Sequence, residues 1–202
     1  TDAGHSSRYN FSLPWNAQAV LTPFSGTLYA LLIDATTLVT EGDLPTTDGG
    51  QNAHWRFDDG TLSIWCDKGP DGNSYVISSG ICTGIDGPWH ALRTLVTDIK
   101  MDPDVKAESV DFWFAGMTNL VKLGSGMVFV PDGCVTSEAM FKNCTSLETL
   151  PADFFLPVGM ELVYTMFVGC SDLRTVPAGF TAEHVTRSVR CLFKFCISLS
   201  TL

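Results

Sequence analysis

A chain of 202 residues that is 45% hydrophobic and 17% charged has the composition and length of a globular protein with a real core, not of a disordered segment. Its net charge of −10 argues against a phosphate-neutralising surface, and so against nucleic acid and anionic membranes as partners. The longest apolar runs, such as Tyr29-Ala30-Leu31-Leu32-Ile33, are too short to insert in a bilayer, and no basic start leading into an apolar stretch reads as a signal peptide.

In chain order, residues 1–20 carry no clear period and read as an arm or a loosely attached strand. From Ser25 to Asp111 the texture is β. Leu28–Ile33 and Thr37-Leu38-Val39-Thr40 read as strands. Trp55-Arg56-Phe57 and Thr61–Trp65 flank Asp58-Asp59-Gly60, a hairpin signal in which glycine supplies the left-handed position. Tyr75–Ile77 and Leu95–Met101 are further strand candidates, and the Gly-, Pro- and Asp-rich stretches at 41–50, 67–74 and 84–88 read as loops. Acids concentrate here: residues 1–112 hold 15 acids and 6 bases, against 7 and 6 in residues 113–202, so the two halves differ chemically.

From about Ala107 a phrase repeats. Trp113-Phe114-Ala115-Gly116-Met117-Thr118-Asn119-Leu120 is followed by Met140-Phe141-Lys142-Asn143-Cys144-Thr145-Ser146-Leu147. Met166-Phe167-Val168-Gly169-Cys170-Ser171-Asp172-Leu173 and Leu192-Phe193-Lys194-Phe195-Cys196-Ile197-Ser198-Leu199 complete the series. The phenylalanines at 114, 141, 167 and 193 stand 27, 26 and 26 residues apart, the self-similarity expected of a solenoid. Each coil reads as a short helical piece, such as Ser137–Phe141, then a short strand, such as Leu147–Leu150. Pro151 and Pro177 end their strands because proline has no N–H to donate. Cys144, Cys170 and Cys196 share one slot and read as a buried column of thiols, since the first copy places Met117 there. Cys66 and Cys82 could pair in an oxidising compartment; Cys134 and Cys191 stay unassigned.

The Met-Phe-x-x-Cys-x-x-Leu-x-x-Leu-Pro phrase resembles the BspA-like leucine-rich-repeat surface proteins of bacteria. Trp55–Ile64 resembles the β element that often leads into such repeats, and Gly87-Pro88-Trp89-His90 with Ile99-Lys100 is similar to the family's approach to the first coil. The likeness covers about 54–202. It implies a bacterial cell-surface or secreted adhesion protein that binds a host matrix protein, a mucin or glycan, or another bacterial surface, and it carries no catalytic residues. The fold expected is α+β: a β-rich N-terminal domain over 1–106, then a short leucine-rich-repeat solenoid of about three and a half coils over 107–202. The last coil breaks off at Leu202 without a polar cap, which reads as a cut from a longer array or as an end that self-associates with another copy.

The slots between the inward leucines are where recognition is expected: Lys122, Glu148, Thr149, Arg174, Thr175 and Thr201, with the three threonines in one column. The chemistry of an enzyme is not evident. His5, His54, His90 and His184 have no nucleophile at a motif-like spacing, and the adjacent acids Asp58-Asp59 and Asp102-Pro103-Asp104 fit turn chemistry. Asp67, Asp71 and Asn73 form a weak Ca²⁺ candidate without the spacing of an EF-hand loop. No cofactor motif is present. Alternative readings are a structural spacer or assembly subunit of a surface array, and a hydrolase with His90 or the acids at 102–104 at the domain junction.

Overall fold

The computed structural model describes residues 39–84, 86–124 and 129–200, with the backbone of 19–20 and 32–33. The chain divides into two units, Thr1–Val39 and Thr40–Leu202. In the first, β1 (Ala19–Val20) pairs antiparallel with β2 (Leu32–Ile33). Most of the 1–20 arm, Leu28–Leu31, Thr37-Leu38, Thr201 and Leu202 lie outside the described residues.

The second unit opens with β3 (Glu41–Leu44), β4 (Ala53–Asp58), β5 (Thr61–Cys66), β6 (Val76–Ile77), β7 (Asp98–Met101) and β8 (Lys106–Ala107). One sheet has the order β3-β4-β5-β7, and β6 and β8 form a parallel pair. β5 shows why these segments are strands: Leu62, Ile64 and Cys66 alternate into the core while their neighbours stay half-exposed, the two-residue period of a one-sided sheet. The β4–β5 turn sets Asp58 opposite Thr61, with Asp59 at φ 42° and Gly60 at φ 78°, the paired left-handed residues that a two-residue hairpin requires. β7 returns parallel to β5 by a crossover that buries Trp89, His90, Leu92 and Val96.

Residues 41–44, expected as loop, form the edge strand. Their acids and glycine hide the strand from a hydrophobic pattern, because polar cross-strand pairs do the work of apolar ones. Glu41 pairs with Arg56 at 2.8 Å and Asp43 with His54 at 2.8 Å.

From Val110 onward the repeats lie on one another in parallel register. Four amides at alternate residues of each repeat donate to four carbonyls of the next. Val110, Phe112, Phe114 and Gly116 donate to Thr136, Glu138, Met140 and Lys142; Ser137, Ala139, Phe141 and Asn143 donate to Leu162, Tyr164, Met166 and Val168. Val163, Thr165, Phe167 and Gly169 then donate to Ser188, Arg190, Leu192 and Lys194, and all twelve bonds fall between 2.7 and 3.1 Å. Inside, equivalent side chains form columns. Phe141 stacks on Phe167 with centroids 5.4 Å apart and Phe167 on Phe193 at 5.4 Å. A second column, Phe129, Phe154 and Phe180, packs edge-on against the first. Each buried phenylalanine contributes about 1.5–3 kcal/mol of transfer free energy, and the ring contacts add about 0.5–1.5 kcal/mol per pair.

The thiols do more than fill space. Cys144, Cys170 and Cys196 each donate, at 3.1 Å, to the carbonyl of the phenylalanine one repeat earlier, Phe114, Phe141 and Phe167. All seven cysteines are free, Cys66 and Cys82 included. At the start of the stack, Trp55, Trp89 and Trp113 meet edge to face, and the Trp89 indole donates to the Trp113 carbonyl at 2.6 Å.

The α+β class with a solenoid of helix-and-strand coils is corrected. The described chain is strand, turn and irregular backbone, and its only helical segment is one 3-10 turn, His90–Leu92. Ser137–Phe141 is not a helix because Ala139 sits at φ 53° and Asn143 at φ 61°. Left-handed residues recur at Phe112, Ala139, Thr165 and Cys191, and again at Gly116, Asn143, Gly169 and Phe195. A right-handed helix cannot pass through such positions, so each phrase folds as consecutive tight turns. The strand expected over Leu147–Leu150 shrinks to one bridged residue, Thr149, which makes parallel bridges to Lys122 and Thr175.

Candidate functional site

The expected recognition residues fall on a second ladder at the rim of the repeats. Lys122 bridges Thr149, and Thr149 bridges Thr175, all parallel. The Glu148 amide donates to the Val121 carbonyl at 2.9 Å, Arg174 to Glu148 at 3.0 Å and Ser200 to Arg174 at 3.1 Å. Burial of Leu120, Leu147, Leu150 and Leu173 turns the residues between them outward. Lys122, Thr149, Arg174 and Thr175 are exposed and Glu148 is half-buried, so the structure brings five of the six together in one strip. Thr201 lies outside the described residues.

Within the strip the Arg174 guanidinium reaches Glu148 at 3.5 Å. Both ends are open to solvent, so the pair contributes on the order of 0–1 kcal/mol. Lys122 has no ion-pair partner among the described residues. A matching pair that sequence reasoning passed over, Glu161–Arg187 at 3.2 Å, spans one repeat in the same way. Its signal was available: Glu148 to Arg174 and Glu161 to Arg187 are both 26 residues apart.

The other candidates separate. His90 is buried; its Nδ1 accepts the Gly87 N–H at 2.8 Å, so Nε2 carries the proton and donates to the Phe112 carbonyl at 2.9 Å. Burial pushes its pKa down, and neither ring nitrogen is left for a substrate. Asp102 accepts the Asp104 amide, and Asp104 pairs with Lys68, so these acids do not converge with His90. A groove of about 530 Å³, lined by neither His90 nor Asp102 and Asp104, holds Cys82, Glu108, Asp111 and Thr136. Its acids are occupied: Asp111 accepts from Thr136 and the Glu138 amide, and Glu108 from the Ser79 amide.

Of the calcium candidates, Asp67 turns to His54 Nε2 at 3.1 Å, while Asp71 accepts both the backbone and side-chain N–H groups of Asn73. Among the described residues no group of three or more His, Cys, Asp and Glu is disposed to hold a metal ion, and no helix is long and apolar enough to cross a membrane. Trp55 and Trp89 are core residues, and Trp65 is half-buried against His54.

Comparison with family models, with curated proteins and with solved structures returns no match.

Proposed function

We propose that this chain is a non-catalytic recognition protein of the cell surface or extracellular space, related to the BspA-like surface proteins. In this reading it binds host or microbial proteins or glycans through the exposed strip of its repeats. The observation that carries the reading is the strip itself. Five polar side chains of differing charge and hydrogen-bonding type stand on three stacked repeats, anchored by backbone bonds beneath them. Repetition gives such a surface length and regular spacing, which suit an extended or repetitive ligand better than a small one. The loss of both ring nitrogens of His90 to backbone partners weighs against the hydrolase alternative.

The test is a binding screen of the 202-residue chain against matrix proteins, mucins and a glycan array, run beside the Glu148→Ala/Arg174→Ala variant. The reading expects a ligand whose binding falls about tenfold or more in the variant, as loss of central contacts does. Blank binding throughout would turn the assignment to the spacer role.

A further inference from the structure

The segment 87–97 crosses from the sheet toward the repeats, and no backbone hydrogen bond joins it to residues 110–120 among the described residues. Side chains make this junction. The Trp89 indole donates to the Trp113 carbonyl at 2.6 Å, His90 Nε2 to the Phe112 carbonyl at 2.9 Å, and the Asn119 side-chain amide to the Thr94 carbonyl at 2.6 Å. Inside the stack a backbone amide does what the indole does here: Phe114 donates to Met140, the counterpart of Trp113. The head of the stack is thus tied by side chains where the later junctions are tied by main chain. His90 is the titratable member of the three ties.

The ring of His90 is committed on both sides. The Gly87 N–H can only donate, so its 2.8 Å bond to Nδ1 exists only while Nδ1 carries no proton. A second proton on the ring sets N–H against N–H at a residue only 1% exposed, where a displaced donor stays unpaired. The fit around it is tight. A Cβ on Gly87 would stand 2.5 Å from His90 Nδ1 and 2.3 Å from Cys82 Sγ, so Gly87 lies directly on both the ring and the thiol. Burial opposes a charge on the ring, and so does Arg93, which donates to the His90 carbonyl at 2.8 Å; the Phe112 carbonyl and Asp86 favour one but are outweighed. From the other elements packed here, the Cys82 thiol is pushed up to about 12 and uncharged, and Asp111 is engaged by Thr136 and the Glu138 amide.

We infer that His90 is a pH-operated latch: protonation of Nδ1 breaks its bond to Gly87 and frees the crossover from the first repeat, while the repeats stay stacked. The stack persists because its twelve ladder bonds join backbone amides to backbone carbonyls, which do not titrate. Opening bares Trp89 and Cys82, both buried in the closed form. In the open form the imidazole regains its ordinary value of about 6.5. The open population is therefore level above about pH 6.5 and grows about tenfold for each pH unit below it, one proton being taken up. The latch is separate from the strip at Lys122, Thr149 and Thr175, so it stands or falls independently of the proposed function.

Cys82 reports the opening. The 202-residue chain is treated with a dipyridyl disulfide, which modifies thiols in mildly acidic solution, across about one and a half pH units on either side of the free imidazole value. Labelled cysteines are located by peptide mass, and each rate is divided by that of a model thiol at the same pH. The Cys82 rate is expected to stay level above about pH 6.5 and to rise about tenfold per unit below it, with Cys144 unlabelled throughout. His90→Asn keeps an acceptor for the Gly87 N–H but does not titrate, so its Cys82 rate should stay level. Asn119→Ala, at an exposed position, removes a tie that does not titrate and should raise the rate about two- to tenfold at every pH, with the parent's slope. A level line for the parent, Cys144 rising together with Cys82, or the parent's slope in His90→Asn overturns the inference. The parent and Asn119→Ala decide it if His90→Asn does not fold.

Discussion

Ser137 shows most plainly how the repeats constrain single residues. It is fully buried, and its hydroxyl has no hydrogen-bond partner among the described residues. The equivalent positions one repeat before and after hold Val110 and Val163, both buried. A buried unpartnered hydroxyl costs about 1–3 kcal/mol, so Ser137→Val should raise stability in urea unfolding by about 1–2 kcal/mol; an unchanged or lower midpoint would show that the hydroxyl is satisfied in solution. Gly169 is fixed for a different reason: it sits at φ 77°, and a Cβ there would fall 2.4 Å from the Asn143 side-chain oxygen. The thiols give a second prediction at this scale. Burial pushes Cys82, Cys134 and Cys144 up to about 12, and raises Cys66, Cys170 and Cys196 as well. Cys191 alone is exposed. Since the thiolate is the reactive form, iodoacetamide at pH 8 should label one cysteine per native chain, Cys191, and all seven only after unfolding. Rapid labelling of Cys144 or Cys170 would contradict the packed column.

At the scale of elements, His54 on β4 ties β3 to the residue that follows β5 by its contacts to Asp43 and Asp67. Burial opposes its charge, but the two carboxylates outweigh burial and raise its pKa above 6.5. Its contribution is therefore complete below about pH 6.5 and fades as pH rises through the folded value. His90 does the opposite: with its pKa held down by burial, it favours the fold above about pH 6.5 and loses that effect as pH falls. His54→Gln should leave the His90 slope alone, so the variant's stability should climb more steeply from pH 5 to 8 than the parent's. Parallel curves for variant and parent would refute the paired-carboxylate account. Much of this level was legible in the sequence. The alternation in Thr61–Cys66 and the Asp-Gly turn marked the hairpin, and the phenylalanine spacing marked the first aromatic column. What was hidden had physical causes. Good helix formers at Glu138, Ala139 and Met140 masked the left-handed residue at Ala139, while Gly116, Asn143 and Gly169, one repeat apart, betrayed only the second left-handed position of each phrase. The second aromatic column went unseen because Phe129, Phe154 and Phe180 lie outside the repeated phrase.

At the scale of the molecule, the recognition strip depends on the stacking of the repeats. Rows of alternate amides join each repeat to the next inside the stack, while at the rim the bonds run the other way, from Glu148 to Val121 and from Arg174 to Glu148. The strip residues were found from sequence because their slots lie between regularly spaced leucines. The direction of the ladder was not, because side-chain patterns carry no record of which way backbone N–H groups point. Amide hydrogen exchange of the native chain, resolved by residue, measures that direction. The amides of Ala139, Phe141, Thr165 and Phe167 should be protected to the level of global unfolding, and those of Met140, Tyr164 and Met166, which donate to no backbone carbonyl among the described residues, should exchange faster. Uniform exchange across these alternating residues would contradict the stacked ladder.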